Sequence, residues 1–466
     1  MKRIAMLLAT ALALYGCTPD YKALYNSVVE ELSKERYQGR SVRGDGDMLA
    51  ARYLIDQLSA IEDVVACEAA GPEETVARPY LKSVVEPSDA GRWNVPGDKE
   101  KYLPWLQHFQ FPMNVMRGAM SLAVDGVDYA PTFDFTVKEF SPTCHGFFRV
   151  TWLDEEAYRP EGFIEHLNSG LYRDQFVVID WNHYLEALQP DPFDKYQPYL
   201  TQLDQVGGII LRQEEQFPYF KARSWYVTPC PVLFVNGSFP SDAREIELHL
   251  DAEMIPVRDA HNIVAWLPGT DAGSERYYTF IAHYDHLGYM GNDFMFPGAN
   301  DNASGAAMLV TLAKYFSKHR PQHGIQFILL DAEEENLLGA FFYCANPRKP
   351  LDKINYLIDL DMVADNGRLL ATEISQNGTY GLELFREINH DGKFPPFNIA
   401  VQPLSDNSDH FAFAEKGVPA IYFTTEGSLL EHYHTPRDTY ANTSDENFDR
   451  LFHLVTEFIR ISAARE

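Results

Sequence analysis

The stretch YYTFIAHYDHLG, residues 277–288, decides the fold prediction, because a nearly continuous apolar run ends there in a cluster of polar residues. Such a run, without polar alternation, is typical of a β-strand that is buried on both faces. Three runs of the same kind follow: IQFILL at 325–330, YLIDL at 356–360 and AIYFTT at 420–425. Between the first two runs, ASGAAMLVTLAKYF at 303–316 predicts a helix. This alternation predicts an α/β fold with a mostly parallel central sheet flanked by helices.

The middle of the chain predicts a second unit. From about 126 to 254, short apolar runs are separated by clusters of Pro, Gly and Asp, which is typical of a β-rich domain. We therefore assign 18–125 and 255–466 to the main domain and 126–254 to an inserted domain. A capping-box pattern from Thr443 to Glu446 predicts the start of a long C-terminal helix.

Residues of metal-binding types follow each predicted strand of the main domain. In an open α/β sheet, ligands bind beyond the carboxyl ends of the strands, so we expect these side chains to meet there. Imidazole and carboxylate ligands suit zinc or a similar divalent ion, and a cysteine-poor site points to catalysis. Any one of these residues alone would more often be an ordinary loop residue or a solvated acidic group. The set consists of His283, Asp285, Asp301, Glu333, Glu334, Asp361 and His434.

The same part of the chain resembles metallopeptidase family 28, the co-catalytic zinc aminopeptidases and their relatives. The motifs that carry the resemblance are, in chain order, HYDHLG, GANDNASG, AEEENLLGA, LDMV, SDHFAF and YHTPRDT, with a looser match at YQGRSVRGDGD. The resemblance implies the zinc exopeptidase fold, two zinc ions and peptide substrates. It implies that His283 and Asp361 hold one ion and that Glu334 and His434 hold the other. Asp301 would bridge the two ions.

The resemblance also implies three supporting roles. Glu333 would be the general base, Asp285 would orient His283, and Tyr433 would help to stabilise the tetrahedral intermediate. An aromatic residue at the rim of the site is the alternative role for Tyr433. The Asp-His pair in SDHFAF is not assigned as a ligand. The family's glycine after the glutamate pair is Asn336 here, a residue that a left-handed turn also tolerates.

An aminopeptidase is the favoured activity, because carboxylates beside the metal ions can hold a free α-amine. The inserted segment resembles a protease-associated domain in its general texture and is expected to border the substrate cleft. A plain structural insertion is the alternative. Three other functions stay open: a glutaminyl cyclase with one zinc ion, a carboxypeptidase with an arginine-rich pocket, and a receptor-like binding protein. The last is disfavoured because a dead site has no reason to keep mutually repelling carboxylates.

The first residues resemble a bacterial lipoprotein signal. Two basic residues precede an apolar run from Ile4 to Tyr15, which is too short to span a membrane but suits a secretory signal. The run ends at Gly16 and Cys17, which predicts a signal peptide over 1–17 with Cys17 as the acylated residue. The protein would then lie in the bacterial cell envelope, facing the periplasm or the cell surface. A signal peptide with an incidental cysteine is the alternative.

Composition limits the partners. A formal net charge of −28 makes nucleic acid and anionic lipid headgroups poor partners, so membrane contact is expected only through the lipid anchor. The widely spaced cysteines beyond Cys17 fit neither a zinc knuckle nor a dense disulfide scaffold. Cys144 and Cys230 could pair in an oxidising compartment, which the sequence does not decide.

Overall fold

The protein is described by a computed structural model. It describes residues 20–67, 99–116, 118–190, 195–196, 199–213 and 225–465. The predicted signal peptide and Cys17 lie outside these residues.

The helices and strands of the described residues are numbered in chain order. The α-helices are α1 Tyr21–Leu32, α2 Gly46–Ser59, α3 Lys99–Tyr102, α4 Phe163–Leu167, α5 Trp181–Leu188, α6 Gly305–Lys318, α7 Leu338–Ala345, α8 Thr379–Asn389, α9 His410–Ala414 and α10 Phe448–Arg465. The strands are β1 Val65–Ala66, β2 Leu106–Val115, β3 Met120–Val124, β4 Val127–Tyr129, β5 Phe135–Val137, β6 Cys144–Trp152, β7 Gln175–Asp180, β8 Gly208–Arg212, β9 Val232–Val235, β10 Glu245–Leu250, β11 Glu253–Leu267, β12 Tyr277–His283, β13 Gly288–Met290, β14 Phe294–Phe296, β15 Gly324–Leu330, β16 Ile354–Leu360, β17 Leu369–Ile374, β18 Asn398–Gln402 and β19 Ala420–Glu426.

The main sheet has nine strands in the order β1-β11-β15-β12-β16-β19-β17-β18, with β2 also paired to β11. Its four central strands, β15, β12, β16 and β19, are parallel to one another. Strand β11 on one side and β17 on the other run antiparallel to this centre. The predicted α/β fold is confirmed, and the parallel arrangement is concentrated in the central strands.

Burial on both faces explains the continuous apolar runs. On β12, Tyr278, Phe280 and Ala282 pack into one hydrophobic core, whereas the alternate residues Tyr277 and Ile281 pack into another. The first core lies under α1, α2, α6, α8 and α10, and the second lies under α7 and α9. A strand with a core on each face has no solvent side, so it carries no polar alternation.

A second sheet of eight strands has the order β4-β3-β10-β6-β7-β8-β9-β5. In chain order this sheet begins at Met120, before the predicted domain boundary at 126. Two helices, α4 and α5, cover one of its faces. Its other face shares a core with Leu287, Met290 and Phe296 of the β13–β14 hairpin. This sheet therefore packs on the segment that directly follows His283.

The C-terminal helix begins at Phe448, so the predicted start at Thr443 is wrong. Thr443 lies in a short turn before the helix, where its hydroxyl donates to the carbonyl of Tyr440. Glu446 likewise donates its amide to the hydroxyl of Ser444.

Two further predictions concern the described residues. Cys144 and Cys230 form no disulfide here. Among the helices that the structure describes, none is both long enough and apolar enough to cross a membrane.

Candidate metal centre

The predicted ligands meet at the carboxyl edge of the four central strands. His283 is the last residue of β12, and Asp361 directly follows β16. Glu334 lies in the turn after β15, His434 in the loop after β19, and Asp301 in the turn before α6. Each strand is held in place by the hydrophobic core around it, so the predicted ligands lie at positions set by rigid elements.

The side chains fall into two groups, each with ligand atoms within 4.8 Å of one another. In the first group, His283 Nε2 lies 3.3 Å from Asp361 Oδ1 and 3.9 Å from Glu333 Oε2. In the second, His434 Nε2 lies 3.3 Å from Glu334 Oε2. Both groups combine imidazole nitrogen with carboxylate oxygen, which is a zinc-type donor set.

Asp301 lies between the two groups. Its Oδ1 is 3.3 Å from His283 Nε2, and its Oδ2 is 3.0 Å from His434 Nε2. One carboxylate thus directs an oxygen to each group, which is the arrangement of a bridging ligand.

His286 also belongs to the second group, and the sequence reasoning missed it. Its ring is fully buried, with Nδ1 2.7 Å from Glu334 Oε1 and 3.6 Å from Asp301 Oδ2. It is the third residue after His283 in HYDHLG, where the chain turns back across the strand ends. The sequence did offer a signal for His286, since it is a second histidine in the motif that supplies the predicted ligand His283.

The pKa values show how strongly the cluster attracts positive charge. Burial lowers the pKa of His434, but Glu334 and Asp301 outweigh this and raise it to about 9. Burial likewise opposes the charge on His283, yet Glu333 and Asp361 raise the pKa of this imidazole well above 6.5. The imidazole nitrogens therefore lie where a cation is stabilised.

Asp285 links two of the predicted ligand loops. Its Oδ1 and Oδ2 accept the backbone amides of Glu333 and Glu334, at 3.1 and 3.3 Å. His283 Nδ1 lies 3.1 Å from the Asp285 carbonyl and 3.7 Å from its Oδ1. The residue thus fixes both the histidine and the glutamate turn.

Two more side chains hold the predicted ligands in place. Asp438 accepts the amides of Asn300 and Asp301, at 2.8 and 3.0 Å, and so fixes the turn that carries Asp301. The Ser408 hydroxyl donates to Asp361 Oδ2 at 2.9 Å. Supporting hydrogen bonds of this kind set the orientation of metal ligands.

Arg40 lies beneath the cluster and ties together three segments of chain. It is fully buried, and its guanidinium donates to five backbone carbonyls at 2.6 to 3.2 Å. The acceptors are the carbonyls of Leu32, Tyr284, Pro297, Gly298 and Asp301. All five N–H groups of the side chain are therefore used. Arg40 belongs to the loosely matching YQGRSVRGDGD stretch, and its role was not predicted.

Tyr433 and Asn336 occupy the positions that the sequence suggested. The partly buried Tyr433 ring stacks on His434 with 3.8 Å between the ring centroids. Burial, with Asp301 and Glu334, raises the pKa of Tyr433 well above 10, so its phenol keeps its proton. Asn336 has a φ of 67°, in the left-handed region that favours Gly and then Asn.

A cavity of about 680 Å³ lies between the segment 35–44 and the β13–β14 hairpin. Its lining includes Gln38 and Arg43 from the segment between α1 and α2, Met116, and Tyr289 of the β13–β14 hairpin. Arg43 also lies 3.5 Å from Glu335, the neighbour of Glu334 in sequence.

Two known aminopeptidases are similar to part of this chain. The chain is 27% identical to Aminopeptidase YwaD of Bacillus subtilis over 194 residues, 40% of this chain and 41% of that protein. It is 30% identical to an aminopeptidase of Pseudomonas aeruginosa over 248 residues, 48% of this chain and 42% of that protein. The chain therefore spans about two fifths of the length of these relatives.

Solved structures share the fold. A zinc aminopeptidase of Bacillus subtilis superposes with a TM-score of 0.63 at 17% identity, covering 96% of this chain and 95% of that one. The sequence profile of peptidase family M28 matches residues 262–459, which include all seven side chains of the predicted set and His286. Over residues 262–459, the chain is therefore similar to peptidase family M28.

Proposed function

We propose that the protein is a zinc aminopeptidase that removes residues from the free N-termini of peptides. The observation that carries the proposal is the position of Asp301, with one carboxylate oxygen directed to each histidine group. The names of the similar aminopeptidases support the same activity.

The residues present fit two zinc ions. Four acidic side chains, Asp301, Glu333, Glu334 and Asp361, are gathered at one sheet edge beside His283, His286 and His434. Like charges buried this closely require cations to compensate them, and the mixed imidazole and carboxylate set suits zinc. His283 and Asp361 would hold one ion, Glu334 and His434 the other, and Asp301 both. His286 is a further candidate ligand at the second position.

Glu333 is the proposed general base. Two zinc ions held by the cluster would make a water molecule acidic near neutral pH and polarise the scissile carbonyl. Glu333 lies at the edge of the first group with 12% of its side chain exposed, so water can reach it. Burial raises the pKa of this carboxyl well above 4.5, and a carboxylate that water can reach is a group that can act as a general base. It would take the proton of the attacking water and pass it to the leaving amine.

Tyr433 is the proposed hydrogen-bond donor. Its protonated phenol lies next to His434 and donates where negative charge develops on the carbonyl oxygen. Donors placed in advance at such a position stabilise the transition state more than the ground state.

Recognition of the free α-amine is tested with paired substrates. Aminoacyl amides with a free amine should be hydrolysed, and their N-acetylated counterparts should not, because acetylation removes the charge that the carboxylates would hold. Hydrolysis of both substrates is measured under zinc saturation as release of the leaving amine. Equal hydrolysis of both substrates would contradict the aminopeptidase assignment while leaving a hydrolase.

The rival activities are decided in the same assay. Cyclisation of peptides with N-terminal glutamine, without hydrolysis, would indicate a glutaminyl cyclase. Release of acidic residues from the C-terminus would indicate a carboxypeptidase. Absence of every reaction in the zinc-loaded protein would favour a binding protein.

We also propose a lipid anchor at Cys17 and a place in the cell envelope. The support is the apolar run from Ile4 to Tyr15 followed by Gly16 and Cys17. Cys17→Ser should move the protein from the membrane to the soluble fraction or leave its signal uncleaved, as seen by fractionation and by mass spectrometry of the N-terminus. Cys67→Ser is the matched control, since Cys67 lies within the folded domain. Unchanged membrane association of Cys17→Ser would rule out the anchor.

A further inference from the structure

The exposed face of the second sheet carries a cluster that the peptidase chemistry does not use. His145 on β6 and His249 on β10 are directly opposite each other on antiparallel strands. On β10, Ile246, Leu248 and Leu250 point into the core, so His249 points to solvent. The two imidazole rings are nearly parallel, with 3.9 Å between their centroids. Neither histidine is needed to fill the core.

Asp251 completes the cluster. It lies two residues after His249, and its Oδ1 is 2.9 Å from His145 Nε2. Its Oδ2 accepts the backbone amide of Ala119 at 3.1 Å, so the carboxylate is held in position. Gly118 makes room for it, because a Cβ at that position would lie 2.7 Å from Asp251 Oδ2. The backbone thus fixes a carboxylate beside two imidazoles, as hydrogen bonds fix metal ligands.

We propose that His145, His249 and Asp251 form a further binding site for a divalent ion of the zinc class. One ligand atom from each lies within 4.8 Å of the other two. Two nitrogen ligands and one carboxylate oxygen favour zinc, copper, nickel or cobalt over magnesium or calcium. His145 and Asp251 are 44% and 38% exposed, so the ion keeps positions open to water or to a group from another molecule. The net charge of −28 adds a general attraction for cations.

The test uses the full-length protein, which is first saturated with zinc at its tight sites and then desalted. This protein is titrated with Zn²⁺ in a calorimeter. Wild type should bind one additional ion. His249→Ala should abolish this binding, and Asp251→Asn should weaken it at least about tenfold, since loss of a ligand costs no less than loss of a supporting residue. Heat of binding is measured, so the result does not depend on peptide hydrolysis.

His166→Ala is the matched control. His166 is an exposed histidine of the same domain that pairs with the Tyr172 hydroxyl and belongs to no described metal cluster. It should keep the additional ion with unchanged affinity. Equal melting temperatures before zinc addition show that the variants are folded, and His145→Ala replaces His249→Ala if the latter is not. Absence of an additional ion in wild type, or its persistence in both histidine variants of the cluster, would overturn the proposal.

Discussion

Glu333→Gln should lower kcat by about 10²- to 10⁴-fold while the zinc content stays the same, because the substitution removes a base and keeps the shape of the side chain. The neighbouring Glu334→Gln should instead lose metal, because Glu334 contacts His434 and His286 in the second group. Metal analysis after dialysis and steady-state kinetics of both variants provide the comparison.

The two glutamates are adjacent and both are contacted by Asp285, so each variant is the matched control for the other. Loss of zinc in Glu333→Gln together with full zinc content in Glu334→Gln would show that the roles are reversed. Glu334 would then be the general base and Glu333 the zinc ligand.

Arg40→Met should lower the free energy of unfolding by at least about 3 kcal/mol. Each buried carbonyl left without a donor costs about 1–3 kcal/mol. Five carbonyls depend on this guanidinium, and three of them belong to the turn that leads to Asp301. Denaturant unfolding at a fixed zinc concentration measures the loss.

Arg460→Met is the control for Arg40→Met. The Arg460 side chain is 63% exposed and pairs with Glu457 on the same helix, so its loss should cost less than about 1 kcal/mol. Arg40→Lys should be intermediate, since lysine keeps the charge but offers fewer donors in a different geometry. Equal stability of the Arg40→Met and Arg460→Met variants would contradict the role given to Arg40.

The central strands could be predicted because a strand with a core on each face is buried throughout, as β12, β15 and β16 are, and therefore carries few polar residues. The direction of the outer strands could not be predicted. An apolar run looks the same whether its neighbour is parallel or antiparallel, so β11 and β17 had no signal for their orientation. The start of the C-terminal helix was misplaced because Thr443 lies in a short turn with Tyr440, and the helix begins only at Phe448.

The candidate site shows the same division. His283, Asp301, Glu334 and Asp361 could be chosen as candidate ligands because metal ligands must be particular residue types, and the structure brings these four together. Arg40 was missed because its five partners are backbone carbonyls, and every residue type has one. Sequence patterns report side-chain chemistry, whereas this contact depends on folding that brings residues 40 and 284 together.

The most direct test of the two-metal centre is anomalous diffraction at the zinc absorption edge from crystals grown with zinc. We predict two peaks on opposite sides of the Asp301 carboxylate, one contacting His283 and Asp361 and the other contacting Glu334 and His434. A single peak between these side chains, in crystals of protein that retains full activity, would contradict the account.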